Sequence, residues 1–501
     1  MPTPSLPEVQ ACSTSSCPLP PCIKLAFSPF LVILSIIEIY QPPPNSVIIP
    51  QNHHQIQTQL PKMQVKIQET VTVQPATPPF DHDHVLPLSH LDTDRNLHVT
   101  FRYLRVYAAK ENHPAEPFHV ITAALSTALV HYYPFTGTLR HRHLDGRLEL
   151  HCHLRKGVPV IRAAVECSLS SVNYLDDLDE KFVEQLVPDP GLEDGMTRPM
   201  ILQVTDFGCG GFVLGAAIHH SLCDGLGASL FFNGMAELAR GADQITVEPV
   251  WDRVNLLGPR NPTGIEFPFQ DILSLDKDFS PYSDSGIRVI KECFNVKEEW
   301  LDRLKELLHE NSGLKFTTFE ALGALIWRSR VKASEISGDE KVGFAYSINI
   351  RKLVKPPLPV GYWGNGCVPM YVHLTARELV EQPIWKTANL IKKSKYNSTD
   401  EYVRSYIDFQ ELHYEKGITA GPRVSGFTDW RHLGHSTVDF GWGGPVTVVP
   451  LSRHLLGSVE PCFFLPCSSA SEGKKDGFKV LVHLQEDALQ GFREEMDKLK
   501  S

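Results

Sequence analysis

Two histidines and an aspartate, His219, His220 and Asp224, fall together in the segment Ile218-His219-His220-Ser221-Leu222-Cys223-Asp224-Gly225. A neutral imidazole in such a place can take a proton from an attacking hydroxyl or amine, general-base help worth ~10²–10⁴ in rate. Two plainer readings compete with it. A lone histidine near a strand end is more often a satisfied structural group than a catalyst. His220 and Asp224, four apart, could also share a helical face with Cys223 as a thiolate. Zinc, however, wants three or four N, S or O ligands with a supporting outer shell, and no paired Cys or His motif lies nearby. No metal is expected.

The elements on either side set where these side chains stand. Residues 211–218 (GFVLGAAI) are a short, nearly continuous apolar run, the pattern of a strand covered on both faces. After Asp224 a helix is expected, because Leu226, Leu230, Phe231, Met235 and Leu238 recur at three- and four-residue spacing and Gly241 supplies a stop. The histidines therefore sit where a buried strand gives way to a helix. Elsewhere, residues 97–107 alternate as a strand with Val99, Phe101 and Tyr103 on one face, and residues 118–132 carry a helical apolar stripe. Residues 251–270 lose periodicity under Gly258, Pro259, Pro262, Gly264 and Pro268, which marks a connection between domains. An amphipathic helix follows at 297–308, and Thr317-Thr318-Phe319-Glu320 forms a capping box that opens a helix through Trp327 and Arg330.

Several ordered segments resemble one enzyme family. HHSLCDG is similar to the His-x-x-x-Asp-Gly motif of acyl-CoA-dependent acyltransferases, which also occurs in chloramphenicol acetyltransferase, dihydrolipoyl acyltransferases and condensation domains. Asp439-Phe440-Gly441-Trp442-Gly443 matches the DFGWG motif of the plant BAHD family, which those relatives lack. Residues 132–137 (YYPFTG) and 356–365 (PPLPVGYWGN) resemble two further segments of that family. The resemblance runs from about Met63 to the C-terminus. It implies an α/β protein of two similarly folded domains, each of mixed sheet plus helices and chloramphenicol acetyltransferase-like, with an active-site channel between them. The expected boundaries are 63–250 for the first domain, 251–275 for a crossover loop and 276–501 for the second.

The same resemblance assigns roles residue by residue. His220 stands at the catalytic histidine, the base that deprotonates the acceptor as it attacks the thioester carbonyl, and His219 reads as structural. Asp224 stands at the motif aspartate that turns away from the channel and pairs with an arginine, here Arg351 of Asn349-Ile350-Arg351. Trp430, in Thr428-Asp429-Trp430-Arg431, stands at the indole donor facing the tetrahedral intermediate, with Thr428 lining the acceptor pocket; plain core packing is the competing reading for this Trp. Asp439, Gly441, Trp442 and Gly443 are expected to brace the channel without touching the reacting atoms. Thr317 and Thr318 lie where relatives carry hydroxyls near the coenzyme, and helix capping explains them equally well.

Composition permits this function and excludes others. With 501 residues, 42% hydrophobic and 21% charged, the chain has room for two domains. A net charge of −10 argues against nucleic acid as a partner. Eleven cysteines scattered without regular pairs suit reduced thiols in the cytosol rather than a disulfide frame. Residues 1–62, rich in Pro, Ser and Gln, read as a disordered or mis-assigned extension. Their apolar run at 25–40 holds Pro29, Ser35 and Glu38 and is shorter than the ~20 residues of a membrane span, so no stable membrane insertion is expected. A chain beginning at Met63 should keep full activity; loss of soluble, active protein on that truncation would contradict the reading. The expectation is thus a cytoplasmic, monomeric acyltransferase using an acyl-CoA co-substrate, no metal or redox cofactor, and a small alcohol or amine acceptor. A non-catalytic small-molecule binder and another His-x-x-x-Asp acyl-carrier enzyme are the alternatives.

Overall fold

The apolar run before the histidines forms the strand Phe212–His219, buried at every residue, as its unbroken hydrophobicity requires. It runs antiparallel between Thr100–Tyr107 and Met200–Phe207. The sheet holding it is six-stranded and mixed, in the order Lys66–Val73, Val158–Val165, Met200–Phe207, Phe212–His219, Thr100–Tyr107, Thr447–Pro450. The computed structural model describes residues 63–110, 116–176, 180–278, 288–470 and 476–497; residues 1–62, with the apolar run at 25–40, lie outside them. Among the described residues no helix is long and apolar enough to cross a membrane.

A second six-stranded sheet comes from later residues, in the order Val289–Val296, Phe478–Gln485, Cys462–Pro466, Val424–Asp429, Lys341–Asn349, Cys367–Thr375. Its central strand Val424–Asp429 is parallel to both neighbours. The first sheet carries the helices Pro117–His131 and Gly225–Ala239, packed on each other, and the second carries Thr318–Ala333 with Ile384–Ser394 and Leu489–Asp497 against it. One late segment crosses over: Thr447–Pro450 pairs with Thr100–Tyr107, and Trp430, Val438, Phe440 and Trp442 enter the apolar core of the first sheet.

Local signals fix most boundaries. Thr317 accepts from Glu320 N and Glu320 from Thr317 N, so the capping box opens the helix Thr318–Ala333. The helix expected over 297–308 runs Glu298–Ser312, a turn further, because it stops only at Gly313, in the left-handed region at φ 70°. The crossover is less irregular than its sequence suggests. It holds the short helices Arg253–Leu257 and Phe269–Ile272 and the strand Ser274–Leu275, which pairs with Ile418–Thr419. Arg260 anchors it to the helix Asp400–His413 through Asp408 at 2.7 Å and Glu401 at 2.8 Å.

Candidate active site

Between the two sheets lies a cavity of about 390 Å³ into which His220 faces. The chain leaves the strand at His219 and enters the helix Gly225–Ala239 at its N-cap, Asp224, so the five residues 220–224 form a short loop on the cavity wall. His220 N donates to Val99 O at 2.9 Å, which continues the strand pairing up to the base of the imidazole. Burial lowers the pKa of His220, offset in part by its own main-chain carbonyl, Asp224 and the Asn365 side chain. The ring is therefore neutral at neutral pH.

His219 points the other way. It is fully buried, does not line the cavity, and its Nδ1 accepts from Ser221 N at 3.2 Å. Burial holds its pKa well below the ordinary histidine value.

Asp224 closes the far end of the loop. Its Oδ1 accepts from Gly227 N at 2.8 Å, capping the helix. Arg351 donates Nη1 to Oδ2 at 2.8 Å and Nη2 to Oδ1 at 2.9 Å, a bidentate pair. Gly366 N and the Cys367 thiol also donate to Oδ2, at 2.9 and 3.0 Å. Burial would raise this carboxyl, but the Arg351 guanidinium and these hydrogen bonds outweigh it and hold the pKa at about 2. With every lone pair engaged, the carboxylate is fitted to hold the loop.

A second buried ion pair grips the same loop, formed by residues that sequence reasoning missed. Arg253 Nη1 donates to Asp92 Oδ2 at 2.9 Å and Nη2 to Leu222 O at 2.9 Å, with its guanidinium 4.1 Å over the Trp251 ring. Asp92 Oδ1 accepts from Asn365 N and Nδ2 at 3.0 and 2.9 Å, and the same Nδ2 donates to His220 O at 2.9 Å. Main-chain carbonyls 220 and 222 and side chain 224 are thus all held. The glycines around Asn365 make room for this: a Cβ on Gly364 would collide with Arg253, and one on Gly366 with Arg351. Asn365 belongs to the PPLPVGYWGN segment, so the motif was visible although its purpose was not.

Trp430 lines the same cavity, following the strand Val424–Asp429, with Thr428 beside it. Its ring lies 5.6 Å from Phe101, which meets His220 edge-on at 5.8 Å. Asp429 next to it is closed off by Arg431, at 2.9 and 2.6 Å. The DFGWG residues do not line the cavity. Asp439 Oδ1 accepts from Gly441 N at 2.7 Å and Gly443 N at 2.8 Å, and both glycines have positive φ, 110° and 90°. This tight turn seats Trp442 against Phe212 at 5.2 Å and leads the chain into its crossing strand. Thr317 is spent on helix capping, and neither it nor Thr318 lines the cavity. Among the described residues no three His, Cys, Asp or Glu side chains could hold a metal ion.

The site can therefore accept a proton at His220 beside an apolar-walled chamber with indole and hydroxyl groups close by. A family model described as the Transferase family matches residues 63–499. The chain is 33% identical over 440 residues to a spermidine coumaroyl-CoA acyltransferase of Arabidopsis thaliana, covering 84% of this chain and 94% of that protein. It is also 33% identical over 437 residues to a fatty alcohol:caffeoyl-CoA acyltransferase of the same plant, covering 86% and 97%. The crystal structure of vinorine synthase has the same fold, with a TM-score of 0.66 at 20% identity over 87% of this chain and 98% of that one. The chain belongs to the Transferase family, the plant BAHD acyltransferases.

Proposed function

We propose that the protein transfers an acyl group from a coenzyme A thioester to the hydroxyl or amine of a small specialised metabolite, with His220 as general base. The observation that carries this is a neutral imidazole facing the cavity on a loop fixed at three points. The acceptor's oxygen or nitrogen attacks the thioester carbonyl while His220 takes its proton. The tetrahedral oxyanion that forms needs a preorganised donor, and Trp430, which lines the same cavity as His220 with Phe101 between their rings, carries an N–H for that role. Collapse of the intermediate breaks the C–S bond, and the imidazolium returns its proton to the coenzyme A thiolate. Asp224 and Arg351 keep the loop in shape and take no part in proton transfer.

Acyl-CoA is the only co-substrate this scheme needs, and the protein acts as a cytoplasmic monomer. The relatives' names include an amine, spermidine, and a fatty alcohol at the same 33% identity, so identity does not choose between nitrogen and oxygen acceptors. A panel of acetyl-, benzoyl- and hydroxycinnamoyl-CoA against alcohols and amines, read by thiol release, tests the reading. Release that requires both partners is expected, and binding without release from any pair would favour a non-catalytic binder. Trp430→Phe keeps the ring and removes the N–H. It should lower kcat by about 10² with little change in coenzyme A affinity; unaltered kcat would leave Trp430 as core packing alone.

A further inference from the structure

Three carboxylates line the cavity, and their partners differ. Asp224 is paired with Arg351 and Asp429 with Arg431. Asp94 has no such partner among the described residues. Its Oδ1 accepts from Asn96 N and Nδ2, both at 2.9 Å. Its Oδ2 accepts from the Tyr406 hydroxyl at 2.7 Å and Gln410 Nε2 at 3.1 Å. All four donors are neutral, and together they suit an ionised carboxylate, which accepts at both oxygens. Neutral donors solvate such a charge without cancelling it, and a buried charge calls for a counterion.

The rest of the cavity does not supply one. Lys395, its one lining cation among the described residues, is bound to Glu320 at 2.7 Å. Arg105 is buried behind His435, with its guanidinium 4.2 Å over Phe232, and does not line the cavity. Leu91, Leu97, Phe101 and Leu433 contribute apolar side chains to the same lining. Burial raises the Asp94 pKa from the ordinary aspartate value; the Tyr406 and Asn96 hydrogen bonds oppose that rise, and a cation bound nearby would reverse it. A chamber with one carboxylate that no lining cation pairs, set among apolar side chains, fits a ligand that joins methylene segments to an ammonium group.

We propose that the charge of Asp94 selects an alkyl polyamine as acceptor: its oxygens are filled by neutral donors, so it draws one protonated amine to that wall through its field while a neutral amine further along the chain is presented to His220. This rests on His220 as the base. In the transfer, the N–C bond forms as the C–S bond breaks; the proton leaves the attacking nitrogen for His220 and then reaches the coenzyme A thiolate. The ammonium at Asp94 keeps its proton throughout.

The test compares spermidine with a monoamine and an alcohol of matched chain length, in the wild type and in Asp94→Asn and Asp94→Glu, by coenzyme A release and by calorimetric titration of spermidine alone. The wild type should favour spermidine in kcat/KM by about tenfold or more, as attraction between opposite charges in a buried site requires. Asp94→Asn should abolish that preference through KM rather than kcat and weaken spermidine binding to match, and Asp94→Glu should restore part of it. A wild type that uses the monoamine or alcohol as well as spermidine overturns the proposal, as does Asp94→Asn with unchanged spermidine KM and affinity. Should Asp94→Asn melt early, the wild-type preference and its loss in high salt decide alone. No release with any acceptor would instead refute His220 as base, while the calorimetry still judges Asp94.

Discussion

Replacing His220 with alanine is expected to lower acyl-transfer turnover by about 10²–10⁴ while coenzyme A binding and thermal stability stay near those of the parent. The imidazole gains its proton only as the acceptor attacks, so its loss is felt in the transition state and little in ground-state binding. The loop does not depend on the ring, because its hold comes from main-chain groups: Val99 O accepts from His220 N, and Asn365 donates to His220 O. His219→Ala should act differently. That side chain is buried away from the cavity, so its removal should lower stability more than chemistry. The pH profile gives an independent check. Burial lowers the His220 pKa, so the ring stays neutral below the usual histidine range, and kcat/KM should rise with pH through that lowered pKa and be level at neutrality. An acid limb at or above 6.5, or an H220A enzyme of near-normal turnover, would rule out this base.

The site's frame is legible in sequence because its signals are local. An apolar run that fits a doubly covered strand, the three- and four-residue spacing of Leu226 to Leu238 and a capping box at Thr317 each declare themselves within a few residues. The Asp224–Arg351 pairing spans 127 residues and was reached only through the family's motif, since spacing cannot report it. Asp92 and Arg253 had no such aid. They stand 161 residues apart, one in an irregular turn and the other in the Gly- and Pro-punctuated crossover, where a charged residue reads as solvated surface. Asp94 was hidden for the same reason: its donors come from Asn96 beside it and from Tyr406 and Gln410 more than 300 residues later. The four-residue strand Thr447–Pro450 shows the limit for topology, because it is apolar on both faces and nothing in it says which sheet it joins.

Asp224→Ala should be the most destabilising change at the site, by about 3–5 kcal/mol, because it strands a largely buried guanidinium and also removes the helix cap. Arg351→Ala should cost less. The carboxylate it leaves behind still accepts from Gly227 N, Gly366 N and the Cys367 thiol. Activity should fall with stability in both, since the loop they fix carries His220, and the double mutant should lose clearly less than the sum of the singles because the stranded charge is gone. Acid should mimic the aspartate mutation. The Asp224 carboxyl is held at about 2 when folded against an ordinary 3.8, so its contribution is complete above pH 4 and disappears as pH falls through that interval. A proton-relay role predicts another pattern: Asp224→Ala inactive yet as stable as the parent, with Arg351→Ala independent of it. Thermal melts of the four proteins beside a coenzyme A release assay separate the two, and strict additivity in stability would remove the loop-holding role, because two side chains that share a buried bidentate pair cannot lose it twice.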